Sequence, residues 1–213
     1  MIKTINRRLA SGTTVVVGSG LAAKQLESYL AFDYQAEPSA AWIAPSILTY
    51  RAWTAELWND GLGGGRHVLT ASQSRSLWRQ VIGNSTVGER LLDIDNAGRW
   101  AADAWATLWN WQIDPSKLQA GQENIDFRSF LSWSRSYHET LKNNGWVDSP
   151  LVTIEAIQSD KPGNSNSLIW ADMPNLTPAQ LALYKKLLGK GYAIEAWRPP
   201  KLASRSFRIA LRD

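Results

Sequence analysis

A lysine, a pair of glycines and a distant aspartate are the residues of this chain whose types and spacing suit phosphate chemistry. From Thr13 to Leu30 the sequence reads TTVVVGSGLAAKQLESYL. Three β-branched valines run into Gly18-Ser19-Gly20, and a helix pattern follows with Leu21, Leu26, Tyr29 and Leu30 on one side. A strand, a tight glycine turn and a helix start bring unpaired helix N–H groups and the positive end of the helix dipole to one point. In open α/β sheets that point is where phosphates sit. Two phosphate motifs overlie these residues, and each is incomplete. As a dinucleotide fingerprint, Gly18, Gly20 and Ala23 give G-x-G-x-x-A, but no acid ends the next apolar run to hold ribose hydroxyls. That run, Ala41-Trp42-Ile43-Ala44, leads into Pro45-Ser46, and Glu37 stands before it. As a Walker A loop, residues 18–25 read GSGLAAKQ, with Gly18 and Lys24 correctly spaced. Ala23 replaces the second glycine, and Gln25 replaces the hydroxyl that should ligate magnesium. An alanine Cβ crowds a loop that needs close phosphate approach, and a carboxamide is a poor substitute for a hydroxyl ligand. The turn reads as the frame of a nucleotide site with its chemistry removed. Either Gly18, Ser19, Gly20, Ala23, Lys24 and Gln25 keep a vestigial phosphate affinity, or the glycines only make a tight turn. No cofactor is expected, and any ATP and Mg2+ binding would be weak.

The second chemical residue is Asp172, which closes the apolar run Leu168-Ile169-Trp170-Ala171. A strand ending in an acid is how a carboxylate is presented to magnesium at such sites, which makes Asp172 the candidate metal ligand. Met173-Pro174 follow where a glutamate would activate water, so Asp172 reads equally as a turn former before the helix that starts near Pro178. His67 and His138, the only histidines, lack the serine and carboxylate partners of a hydrolytic triad and the spacing of a metal site. There are no cysteines, which excludes a disulfide framework, a zinc–thiolate cluster and a thiol nucleophile.

The elements that must position these residues follow from periodicity. Residues 41–45 form the next strand candidate, and Ile47 to Asn59 is expected to be a helix carrying Leu48, Trp53 and Leu57. Gly61-Leu62-Gly63-Gly64-Gly65 then breaks the chain. From Leu69 to Trp146 the period is helical. Thr70 with Gln73 makes a capping box ahead of Leu77, Trp78, Val81 and Ile82; Leu91 to Trp111 is a longer helix; Phe127 to Leu141 is a third, stopped by Asn143-Asn144-Gly145. After the polar stretch 161–167 the strand pattern returns at Leu168, a helix starts at Thr177-Pro178, and Tyr192 to Trp197 and Phe207 to Leu211 read as strands. The expected class is α/β: a parallel sheet from residues 1–65 and 150–213, interrupted by a helical insertion over 66–149.

Tryptophan is abundant, with 12 residues, and such side chains can stack on single-stranded bases. Their spacing favours packing instead: Trp53 and Leu57, and Trp105 and Trp109, are four apart, while Trp78 lies beside Leu77 and ahead of Val81 and Ile82. The net charge of +4 and pI near 9.4 suit an anionic partner, but the basic residues are scattered, with Arg7-Arg8 and Lys185-Lys186 the only adjacent pairs. No apolar run reaches signal or membrane-spanning length, so a soluble, cytoplasmic chain without a membrane partner is expected.

The succession GSGLAAKQL, WIAPSIL, LTASQSRSLWRQVI, LLDIDNAGRWAADAWATLWNW and LIWADMPNLTPAQLALYKKL resembles the N-terminal part of the AddB/RexB-like helicase-nuclease proteins. More narrowly, it resembles a bacterial group described as inactivated superfamily 1 helicases fused to a PD-(D/E)xK nuclease, probable DNA repair proteins. The resemblance covers most of the chain and rests on Trp, Leu and Pro patterns rather than catalytic signatures. It implies a RecA-like (P-loop NTPase-like) core with a helical insertion, acting in double-strand break processing with DNA and a helicase-nuclease partner subunit. In such proteins the loop lysine contacts nucleotide phosphates and the acid after the later strand holds magnesium, roles that would fall on Lys24 and Asp172. The nuclease signature and the later helicase motifs are absent from the sequence, so the resemblance implies an N-terminal fragment of a longer protein without cleavage activity. Two other classes stay open: a working ATPase or dinucleotide enzyme, and a protein-interaction scaffold that does not bind DNA.

Overall fold

The computed structural model describes residues 13–34, 46–119, 124–160, 167–171, 173 and 175–197. The chain divides into two compact units, one of Met1–Tyr50, Ser167–Pro174 and Ala193–Asp213, the other of Arg51–Asn166 and Asn175–Tyr192. The strand candidate at residues 41–45, most of the polar stretch 161–167, Asp172 and the run Phe207 to Leu211 lie outside the described residues.

The first unit is built on a parallel sheet of four strands: β1 (Thr14–Val17), β2 (Ile47–Thr49), and two strands from the far end of the sequence, Ser167–Ala171 and Ala193–Trp197, which become β5 and β6 in chain order. Their spatial order is β2-β1-β5-β6. Val15, Val16 and Val17 of β1 and Leu168 to Ala171 of β5 are fully covered, as the continuous apolar runs of central parallel strands require. Their register pairs Val15 with Ile169 and Val17 with Ala171, while β2 pairs Val17 with Thr49. Helix α1 (Gly20–Tyr34) follows β1 and packs Ala23, Leu26 and Leu30 against Val15, Val17, Ile169, Ala171 and Trp197. The chain is therefore a mixed α/β protein with a parallel sheet, as its alternating patterns predict.

One local expectation is corrected. Ile47 to Thr49 is a strand, and helix α2 begins only at Tyr50 (Tyr50–Leu57). Ile47 and Leu48 fit a helix period as well as a strand, and pairing with β1 decides between them by satisfying the backbone along its open edge.

The second unit is helical. Helix α2 runs into a wide turn at Trp58–Leu62, and Gly61, Gly64 and Gly65 adopt φ of 134°, 56° and 85°, a region that disfavours side chains. Two short strands, β3 (His67–Val68) and β4 (Trp146–Val147), pair in parallel. Around them lie α3 (Ala71–Gly83), α4 (Ile94–Asn110), α5 (Ile125–Asn143), α6 (Ser149–Gln158) and α7 (Pro178–Gly189). The capping box expected at Thr70 and Gln73 is formed, and Thr177, expected as a cap, forms a second box with Gln180. Helix α4 starts later than its apolar pattern suggests. Asp93 accepts the Asn96 N–H at 2.9 Å and sets the start, leaving Leu91 and the fully exposed Leu92 ahead of it. Before it, the chain closes so tightly that a Cβ on Gly88 would lie 1.8 Å from the Ile82 carbonyl oxygen.

Tryptophan packing explains the composition. Trp78 stacks on Tyr137 with ring centres 4.1 Å apart, and Trp105 meets both edge-on at 6.0 and 5.5 Å. Trp53, Trp78, Trp105 and Trp109 are all buried, as their helical spacing predicts. Beside this cluster, the Tyr137 hydroxyl donates to Asp148 Oδ2 at 2.9 Å and lies 2.9 Å from Ser74 Oγ, while Asp148 Oδ1 accepts the Ser149 N–H at 2.8 Å. Among the described residues no helix is long and apolar enough to cross a membrane.

Candidate functional site

The candidate site lies at the carboxyl end of β1 in the sheet unit. From β1 the chain passes through α1 to β2 on one side of β1, whereas β5 leads to β6 on the other. The strands β1 and β5 therefore flank the point where successive connections diverge, and in open α/β sheets ligands bind in the crevice outside that point. Since Val17 pairs with both Thr49 and Ala171, three strands end level there.

Only Gly18 and Ser19 separate β1 from α1. Ser19 caps the helix: its Oγ accepts the Ala22 N–H at 3.1 Å and its carbonyl the Ala23 N–H at 3.0 Å. The N–H groups of the first turn have no acceptor within the helix by geometry alone, and the first turn of α1 holds no acidic side chain to offset the dipole. At Gly20 a Cβ would meet no atom within 4 Å, and the backbone does not require a glycine. The open space lies against the helix start.

The other predicted residues take different places. Ala23 is in the first turn, buried against the sheet, where a small side chain allows the helix to approach β1 and β5 closely. Its methyl group faces the core. Lys24 and Gln25 are exposed on α1. Lys24 follows Gly20 by four residues and so shares its helix face. Gly18, Ser19 and Gly20 make the helix start, Lys24 stands one turn further along the same helix, and Ala23 packs beneath on the sheet. Asp172 follows Ala171 in sequence and lies outside the described residues.

Chemically, this arrangement offers N–H donors, one hydroxyl already engaged as a cap, and one cation. Such a set suits a single anionic group. Among the described residues, no group of three or more His, Asp or Glu side chains is placed to hold a metal ion. Of the two histidines, His67 lies in β3 with its backbone paired to Trp146. His138 lies 5.7 and 6.3 Å from the Trp105 and Trp109 rings, and its pKa is lowered chiefly by burial.

The cap role of Ser19 is the one site feature that motif matching passes over, because both phosphate motifs treat position 19 as free. The residue type gave the signal, since serine ahead of a helix pattern is a preferred cap. No family model matches the chain, and no curated protein matches it.

Proposed function

We propose that this chain is a non-catalytic, helicase-like module of a DNA repair or recombination helicase-nuclease, with a RecA-like sheet unit and a helical insertion. It positions DNA or a partner subunit for a nuclease located elsewhere. The observation that carries the reading is the glycine turn of two residues at the divergence point of a parallel sheet, with Lys24 exposed beside it and Ala23 and Gln25 where a working loop needs glycine and hydroxyl. A helix that begins at Gly20 leaves no long loop to wrap a triphosphate. The turn is suited to holding a phosphate group and unsuited to hydrolysing it.

The nucleotide side of this reading is tested by thermal shift and turnover on the whole chain. At a tenfold excess over Kd a ligand stabilises by about 1.4 kcal/mol, and a chain of this size then melts roughly 3–6 °C higher. Inorganic pyrophosphate or ATP should give such a shift at millimolar concentration, magnesium should add nothing, and Lys24→Ala should abolish it. ATP turnover should equal that of buffer. Turnover that needs magnesium and is lost in Lys24→Ala would contradict the non-catalytic reading. No shift with any anion would reduce the glycines to a structural turn.

The buried position of Ala23 favours a second reading. A small residue that lets the helix approach the sheet is also the third element of a dinucleotide fingerprint. A shift with NAD and none with pyrophosphate would support it.

A further inference from the structure

We propose that the groove between α4 and α5 in the helical unit is a docking site for a basic amphipathic helix of another protein. The groove encloses about 750 Å3, and most of its lining is apolar. Along α4 it is floored by Ala97, Ala101 and Ala104, small residues that keep it open, and it is walled by Trp100 and Leu108. Phe127, Phe130 and Trp133 of α5 form the facing wall. Trp100 is 68% exposed and Ile125, at the start of α5, is 63% exposed. Neither is drawn into the core, although the same two helices bury Trp105, Trp109, Leu131 and Tyr137 completely or nearly so. Large aromatic side chains beside a small-residue floor are the composition of a partner-binding hot spot, and a trough running along a helix accepts another helix through anchors at helical spacing.

Charge decides which helix. The charged residues lining the groove are Asp93 and Asp126, both acids, and no lysine or arginine lines it among the described residues. Asp93 caps α4 and Asp126 stands in the first turn of α5, so both carboxylates mark the end where these two helices begin. Arg99 is turned to the Asn96 side chain, and Arg79 pairs with Asp95, so neither neutralises the pair. Like charges facing each other disfavour a partner, so the two carboxylates disfavour an acidic segment or a phosphate backbone here and favour lysine or arginine flanking an apolar stripe. The proposal stands whether or not the glycine turn binds phosphate.

The probe is a fluorescently labelled synthetic helix with leucine at positions i, i+3, i+4 and i+7 and lysine elsewhere, compared with a version carrying glutamate for lysine. The lysine helix should bind the whole chain at micromolar concentration, and the glutamate helix about tenfold or more weakly. Trp100→Ala should weaken binding about tenfold. The double variant Asp93→Asn and Asp126→Asn should weaken it several-fold and lower the melting temperature by only a few degrees, because asparagine keeps the Asp93 cap and Asp126 loses only its attraction to the helix dipole. No binding of the lysine helix, equal binding of both helices, or indifference to both variants would overturn the proposal. So would a concentration-dependent dimer in sedimentation that Trp100→Ala abolishes, since the occupant would then be a second copy of this chain.

Discussion

Trp78→Ala is expected to lower the stability of the helical unit by about 3–5 kcal/mol, the range for removing a fully buried large aromatic side chain. Trp78 is 0% exposed, stacks on Tyr137 at 4.1 Å and meets Trp105 at 6.0 Å, so its removal takes away the shared surface of α3, α4 and α5 at once. The surrounding rings are rigid and belong to separate helices, which limits how far they can collapse into the space. Urea unfolding followed by circular dichroism measures the loss, with Trp111→Ala as the control. Trp111 is 62% exposed, and its replacement should change stability by no more than about 0.5 kcal/mol. A cost below about 1 kcal/mol for Trp78→Ala would mean that the aromatic cluster does not hold these helices together.

The second large effect is at Asp148. Asp148→Ala removes the cap that accepts the Ser149 N–H, worth about 1 kcal/mol, and deprives the buried Tyr137 hydroxyl of its acceptor, worth about 1–3 kcal/mol more. Asp148→Asn removes the charge and resembles the protonated acid: its one amide oxygen accepts the Ser149 N–H, and its NH2 donates to the Tyr137 oxygen, which reverses that hydrogen bond. The two variants therefore separate geometry from ionisation. Burial raises the Asp148 carboxyl above the usual carboxylate range, an effect that outweighs the hydrogen bonds from Tyr137, Ser149 and Ser74 and the attraction of Arg51. Burial also pushes the Tyr137 hydroxyl up, which keeps it a neutral donor. A raised folded pKa means that the folded state holds the proton more tightly than the unfolded chain. The stability contributed by this group is full below the unfolded value and is lost as pH rises through the folded value. The native chain and Asp148→Asn should accordingly be close in stability in acid, with the asparagine variant equal or more stable at neutral pH. A native chain clearly more stable than the asparagine variant at neutral pH would contradict this account.

How far the sequence discloses these features depends on how local they are. The boxes at Thr70-Gln73 and Thr177-Gln180 are legible because cap and partner lie three residues apart and nothing distant competes for them. The stop at Asn143-Asn144-Gly145 is equally local, and Gly145 takes a φ of 64°. Ile47 to Thr49 was illegible because its identity as a strand is decided by an edge of β1 some thirty residues earlier in the chain. Leu91 and Leu92 match a helix period, yet Asp93 sets the start by a hydrogen bond that outweighs apolar spacing. The Ser74–Tyr137–Asp148 network leaves no trace at all in the sequence, since three helices and a turn must fold before its members meet. At the candidate site, Gly18, Gly20 and Lys24 are legible as a motif, while the direction in which Ala23 points is set by the sheet beneath it. Trp100 stands about 140° and 180° round the helix from the buried Trp105 and Trp109, so the helical period already sets the exposed tryptophan apart from the core ones.

The proposed role requires that the chain handle DNA without nucleotide chemistry. The most direct measurement is fluorescence anisotropy of a labelled single-stranded oligonucleotide titrated with the chain at low and moderate salt. About three phosphate contacts on a single strand give a slope near −2 in log affinity against log salt, so a fourfold rise in salt should weaken binding roughly twentyfold. Addition of ATP should leave the affinity unchanged. Absence of binding even at low salt would contradict direct DNA handling and leave a scaffold that engages its partners through protein contacts alone.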